Sequence, residues 1–138
     1  MGDRKEPSLE GVLETVLYHA PGEAPEMERT YREVLGLPMV ARWSDGMAFR
    51  VGGGVVLLFD RERLRDRDEP LAEHGTSGDG HVCLLTSPDD YEEWKERLTA
   101  AGISIDHEEP WEGGRRSFYF RDPAGNLLEI ADGDMWPP

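Results

Sequence analysis

Short apolar runs separated by turn residues dominate the chain. The first, residues 13–19 (Leu-Glu-Thr-Val-Leu-Tyr-His), is bounded by Pro21-Gly22 and broken by one charge, Glu14. Its length and composition predict a strand. After Pro25, which suits a first helical turn, Met27, Tyr31, Val34 and Leu35 fall on one helix face, and Gly36 supplies the stop. Three more strand-like runs follow at 38–43, 47–51 and 55–60, separated by Ser44-Asp45-Gly46 and Gly52-Gly53-Gly54. Their close spacing predicts antiparallel hairpins. Residues 61–79 carry Pro70, Gly75 and Gly78 without sustained periodicity and read as a long polar loop.

The pattern then restarts. Residues 80–85 (Gly-His-Val-Cys-Leu-Leu) form another apolar strand with one polar intruder, His81. Ser87-Pro88-Asp89-Asp90 predicts a helix start, with Ser87 as N-cap, Pro88 at the first helical position and Asp90 two residues further on. Tyr91, Trp94, Leu98 and Ala101 give its buried stripe, and Gly102 ends it. Strands are predicted at 103–106, 115–120 and 127–131, the last two joined by the turn Asp122-Pro123-Ala124-Gly125-Asn126. From Glu14 to Gly36 is 22 residues, and from His81 to Gly102 is 21. This near-identity predicts an α+β fold in which a βαβββ module occurs twice in tandem, the two forming a cupped mixed sheet. The modules are 11–60 and 80–132, joined by loop 61–79, with tails at 1–10 and 133–138.

Composition narrows the partners. Fifteen Lys+Arg against 29 Asp+Glu leave the 138-residue chain at −14, and no basic patch is visible. Nucleic-acid phosphates and anionic membrane surfaces are therefore excluded as partners. A single cysteine, Cys83, rules out an intramolecular disulfide framework, and no run is long and apolar enough for a membrane span. These features predict a soluble, cytoplasmic protein.

Residues two apart on a strand share a face, so Glu14, His81 and Glu129 each stand in apolar company. A buried carboxylate is costly unless it is paired or bound to a cation. If the halves are related by a pseudo-two-fold axis, Glu14 and His81 occupy equivalent first strands, and Leu57 and Glu129 occupy equivalent last strands. Four related positions then hold three candidate metal ligands, Glu14, His81 and Glu129, and one apolar substitute, Leu57. Each has an ordinary explanation taken singly: His81 as a satisfied core or surface histidine, Glu14 as an exposed strand residue. Cys83 reads as a small core hydrophobe that its parity with His81 places next to the cavity, and His19, His74 and His107 take no role. Trp43, Phe59, Trp111 and Trp136 serve as pocket walls or as packing. Arg50 and Arg116 are candidates to hold an anionic substrate or to form ion pairs.

The segment Phe118-Tyr119-Phe120-Arg121-Asp122-Pro123-Ala124-Gly125-Asn126-Leu127-Leu128-Glu129 resembles the final hairpin of the vicinal oxygen chelate superfamily, ending in its metal-binding Glu. That superfamily includes glyoxalase I, extradiol dioxygenases, fosfomycin-resistance enzymes, methylmalonyl-CoA epimerase and bleomycin-binding proteins. Tyr31-Arg32-Glu33-Val34-Leu35-Gly36-Leu37 is similar to its first-helix ending, and Gly80-His81 to its histidine ligand. The family's first-strand ligand is commonly His or Gln, where this chain has Glu14, and Leu57 falls at the fourth, acidic position of glyoxalase I. The resemblance implies a glyoxalase-like fold and a site for Mn, Fe, Ni, Co or Zn on Glu14, His81 and Glu129. It also implies catalytic roles for Glu129 and for Tyr119, whose packing role competes with a cavity-facing one, and substrate contacts at Tyr18, Arg50, Phe59 and Arg116. The implied activity is isomerase, lyase or dioxygenase chemistry on a substrate chelating through vicinal oxygens. The alternative is a metal-free, bleomycin-resistance-like protein sequestering a cationic molecule. A homodimer is expected.

Overall fold

The structure, a computed structural model, describes residues 6–7, 9–66, 74–77, 80–134 and 136. Much of the expected loop 61–79 and of both tails therefore lies outside the described residues. Eight strands form two four-stranded sheets of the same plan. The first contains β1 (Glu14–His19), β2 (Met39–Arg42), β3 (Gly46–Val51) and β4 (Gly54–Asp60), ordered β1-β4-β3-β2. The second contains β5 (His81–Leu85), β6 (His107–Pro110), β7 (Arg116–Arg121) and β8 (Leu127–Ala131), ordered β5-β8-β7-β6. In both, the first strand runs parallel to the last and the remaining pairs are antiparallel.

The registers also repeat. Glu14 and Val16 face Val55 and Leu57, as His81 and Cys83 face Leu127 and Glu129. The equivalences Glu14/His81 and Leu57/Glu129 expected from the residue count are thus realised in the ladders.

Helices cover one face of each sheet. Helix α1 (Ala24–Glu28), with Pro25 in its first turn, runs on as a π-helical turn, Arg29–Val34, in which the Leu35 N–H donates to Thr30 O at 2.9 Å. This wider winding, which the apolar spacing does not signal, buries Thr30 and Tyr31 side by side. Gly36 then adopts φ +69°, the left-handed stop a side chain would resist. Helix α3 (Tyr91–Ala100) begins three residues later than Pro88 predicts. Ser87 Oγ accepts from the Asp90 N–H at 3.3 Å, so the capping contact forms around a preceding turn. A short helix, α2 (Arg61–Arg65), replaces the start of the expected loop. Asp60 caps it, its Oδ1 accepting from the N–H groups of Glu62 and Arg63 at 3.0 and 3.1 Å.

The strand expected at 103–106 lies instead at 107–110. The hairpin back to β7 closes with the Trp111 N–H on Arg115 O at 2.8 Å, which fixes the register His107↔Tyr119. Ile103 and Ile105 are left to pack against the core. Trp136, in the tail, is 79% exposed. Among the described residues no helix is long and apolar enough to cross a membrane.

One core serves both sheets. Leu17, Phe49, Val56 and Leu58 join Phe118, Phe120, Leu128 and Ile130 in a single buried cluster with Met27, Tyr31, Tyr91 and Leu98 from the helical segments. At its centre the Tyr31 hydroxyl donates to Asp122 Oδ2 at 2.9 Å across 91 residues of chain. Asp122 also accepts from the backbone N–H of Ala124 and of Asn126 and from Asn126 Nδ2, each at 2.9 Å. Asn126 Nδ2 also reaches Tyr18 O at 3.2 Å. Burial raises the Asp122 carboxyl above its ordinary range, while Asn126 and Tyr31 hold it down in part. A β-carbon on Gly80 would come within 2.7 Å of Asn126 Oδ1 and 3.0 Å of Leu17 Cδ2, so the close approach of the two halves requires glycine there. Tyr31→Phe, which deletes one donor to a buried carboxylate without changing shape, is expected to lower stability by about 1.5–3 kcal/mol in urea denaturation. An unchanged midpoint would show that this tie contributes nothing.

Candidate metal centre

Strand β8 is central in its sheet, and its side chains divide by parity. Leu128 and Ile130 enter the core, leaving Leu127, Glu129 and Ala131 on the opposite face. Glu129 is the one charge in that strand and is 6% exposed. Ladder pairing aligns Cys83, Glu129, Tyr119 and His107 as a row across four adjacent strands. Neighbours in such a row have β-carbons about 4.5–5.5 Å apart.

His81 enters the row from the side, two residues before Cys83. Its Nε2 lies 3.3 Å from Glu129 Oε1, and its Nδ1 lies 2.9 Å from Leu127 O. The carbonyl can only accept, so Nδ1 carries a proton and Nε2 is the ring nitrogen turned to Glu129. This backbone-anchored tautomer is the one a metal-ligating histidine adopts. The Glu129 carboxylate meets His81 Nε2 and the Cys83 and Tyr119 side chains, and among the described residues no lysine or arginine is paired with it. An imidazole and a carboxylate whose donor atoms meet on adjacent strands are the kind of N and O pair that fits a divalent ion.

The neighbours set the surrounding electrostatics. Burial pushes the Cys83 thiol up to about 12, with the Glu129 charge adding to the effect. Burial also raises the Tyr119 phenol, with Glu129 reinforcing and Ser117 opposing, so it remains a donor at neutral pH. The His81 and Tyr119 rings stack at 6.3 Å, and His107 lies 5.9 Å beyond Tyr119 with its Nε2 2.6 Å from Glu109 Oε2. Trp111 Nε1 donates to Ser117 Oγ at 2.8 Å at the end of this face.

Glu14 is not part of this group. It lies at the equivalent position of the first sheet, exposed, and among the described residues no three His, Cys, Asp or Glu side chains are grouped around one point. The face it shares is mostly apolar: Ala48, Leu57, Phe59 and Leu64 form a second buried cluster. Tyr18 lies on that face with its hydroxyl on His74 Nδ1, and Phe59 packs between Trp43, at 6.1 Å, and His74, at 5.6 Å. Arg50 is exposed beside Val55, the residue that faces Glu14 across the ladder. Two cavities of about 270 Å³, one beside His19, Trp43 and Asp60 and the other beside Thr30 and Asp122, are lined by neither His81 nor Glu129.

The sequence model of the Glyoxalase/Bleomycin resistance protein/Dioxygenase superfamily matches residues 20–130, which include His81 and Glu129. The chain belongs to that superfamily. Its relatives include the glutathione transferase FosA of Serratia marcescens, 31% identical over 76% of this chain and 70% of that one. The virulence protein STM3117 of Salmonella typhimurium is 37% identical over 75% of this chain and 72% of its own length. A solved lactoylglutathione lyase from Agrobacterium tumefaciens superposes with a TM-score of 0.86 at 35% identity, covering 94% of this chain and 98% of its own.

Within this superfamily member, several side chains stand where sequence reading does not put them. Arg116 belongs to the helix-covered side of β7, not to the substrate face. Its Nε is 3.1 Å from Asp132 Oδ2, its NH1 is 3.0 Å from Glu92 Oε1, and its guanidinium lies 4.1 Å from the Tyr91 ring centroid. Strand parity carries this signal, since Arg116 alternates with Ser117 and Tyr119. Cys83 is exposed beside Glu129 and is not a core hydrophobe. His107 joins the row beside Tyr119 because β6 lies four residues later than the apolar pattern predicts, and His74 reaches Tyr18 from a segment without periodicity. Arg116→Ala is expected to cost about 1–3 kcal/mol in stability through its lost partners while leaving metal uptake unchanged. Loss of metal with unchanged stability would return Arg116 to the site.

Proposed function

We propose that this chain is a divalent-metal-dependent enzyme of the glyoxalase kind, acting on a small substrate that chelates the ion through two adjacent oxygens. The observation that carries this reading is the His81–Glu129 pair: an imidazole anchored through Nδ1 on Leu127 O, with its Nε2 3.3 Å from a buried carboxylate on the neighbouring strand. Members of the superfamily commonly use divalent metals. Two of the relatives carry an enzymatic activity in their names, a glutathione transferase and a lactoylglutathione lyase. The donor set favours lyase, isomerase or transferase chemistry over oxygen activation, because Glu14 stands where a second histidine would complete a two-His-one-carboxylate site.

A bound ion would supply Lewis-acid polarisation of the substrate oxygens. The chain's own groups do the rest. Leu127 O fixes the His81 ring, and the buried Glu129 carboxylate is placed to accept or return a proton on the substrate. The Tyr119 phenol, raised by burial, offers a hydrogen bond from the adjacent strand.

In each sheet the core takes the face opposite Glu14 or His81, which leaves those two on the non-core faces. We infer that a second copy brings its Glu14 face over His81 and Glu129, giving a C2 homodimer whose cups are each built from two chains. Emission spectroscopy on dialysed protein is expected to give about one divalent ion per chain, lost in His81→Ala and in Glu129→Ala variants that still fold by circular dichroism. Metal held at full affinity by His81→Ala would overturn the assignment. A wild-type protein that takes up no metal after soaking would leave the metal-free binding of a cationic molecule as the reading. By sedimentation the chain is expected to be a dimer, with Glu14→Ala weakening metal binding without dissociating it. A monomer that binds metal fully would remove the role of the second copy.

A further inference from the structure

We propose that the cavity where β1 and β4 end is a second ligand site, built for a small neutral polyol of the size of one sugar ring or cyclitol. It is separate from the His81–Glu129 pair and stands whether or not that pair holds a metal. Three chain segments build it. His19, the last residue of β1, pairs with Asp60, the last of β4, and the Asp60 N–H donates to Asp45 O at 2.8 Å. His19, Asp60 and Asp45 thus stand in a row at the sheet end, 1%, 7% and 5% exposed. His19 and Asp60 share the parity of Leu17 and Leu58, which puts them on the core face and not on the face of Glu14. Arg42, Trp43 and Arg63 join them around a space of about 270 Å³.

His19 carries the inference. Its Nδ1 lies 2.9 Å from Ala20 O, and a carbonyl only accepts, so Nδ1 carries a proton and Nε2 is the nitrogen left over. Among the described residues nothing bonds to Nε2, and no fully enclosed side-chain nitrogen or oxygen lacks a partner, so Nε2 borders the cavity that His19 lines. A buried imidazole turned to open space without a protein partner marks a place for a ligand atom.

The walls indicate the chemistry of that ligand. Asp60 uses Oδ1 to cap α2, and its Oδ2 stands 3.9 Å from Arg63 Nε. Arg63 donates from Nη1 to Ser44 O at 2.9 Å, and Arg42 is paired with Glu28. Two guanidinium groups and two carboxylates leave the lining without net charge, so an ion of either sign is drawn by one pair and opposed by the other. A hydroxyl meets all of them: it accepts from a guanidinium, donates to a carboxylate, and serves an imidazole nitrogen as donor or acceptor. Trp43, 46% exposed and stacked on Phe59 at 6.1 Å, adds a rigid apolar wall on which the C–H face of a ring can lie. The volume falls just below the roughly 300–1,000 Å³ of pockets for drug-sized molecules, which limits the ligand to one ring.

The test is an NMR titration of the full chain with myo-inositol and D-glucose, with ethanolamine and acetate as ionic controls. At least one of the two polyols is expected to saturate with a millimolar Kd, moving the His19 ring and Trp43 indole signals and those of residues 42–47 and 60–63. Trp43→Ala, at a half-exposed position that does not threaten folding, is expected to weaken that binding at least about tenfold. His19→Gln, shown to fold by circular dichroism, should weaken it by a similar factor. Saturation by neither polyol below about 100 mM, or affinity unchanged in Trp43→Ala, would overturn the proposal. Tighter binding of ethanolamine or acetate than of both polyols would overturn the ligand class, and shifts centred on His81 and Glu129 would overturn the location.

Discussion

The buried hydrogen bonds of Asp122 are the constraint on which the arrangement of the rest depends. This carboxylate takes the Tyr31 hydroxyl from the first half and three N–H donors from the turn that launches β8. Asn126 extends the tie to Tyr18 O on β1, and Gly80 leaves the room for it. Side chains on a strand alternate, so a slip of one residue in β8 would send Glu129 into the core and Leu128 to the open face. The tie therefore does two things at once. It joins the halves through one core, and it holds the phase of the strand that carries the central carboxylate.

With that phase held, the site is a matter of register. A histidine on the strand parallel to β8 and a carboxylate on β8 itself meet because the ladder puts residues 81 and 127 opposite each other. The same ladder in the first half pairs Glu14 with Val55, and Leu57 takes the place of Glu129. The two halves have thus diverged in chemistry on a shared geometry. One face has become a polar row of donors, and the other an apolar surface around Leu57, Phe59 and Leu64 with Glu14 at its margin.

Much of this was legible in the sequence because it was written in spacing. The repeat length from Glu14 and from His81 to the helix-ending glycines predicts the duplicated plan, and the apolar runs at 55–60 and 127–131 predict strands where β4 and β8 lie. Isolated charges in apolar company picked out His81 and Glu129. What stayed hidden depended on long-range pairing. The strand at 107–110 is polar, His-Glu-Glu-Pro, and exists because β7 pairs with it, so its hydropathy favoured the preceding Ile103–Ile105 stretch. The π-helical turn leaves no mark in apolar spacing, since Met27, Tyr31 and Leu35 stay buried on either winding. Strand parity puts Cys83 on the face of His81, and the ladder adds that it stands opposite Glu129. Whether Glu14 joins the site depends on a second chain, which spacing within one chain does not encode.

The most direct test of the central claim is anomalous diffraction from crystals of the protein grown with Zn²⁺. The account predicts one anomalous peak within bonding distance of both His81 Nε2 and the Glu129 carboxylate. A peak held by other residues, or full occupancy with either of these two side chains turned away, would contradict it.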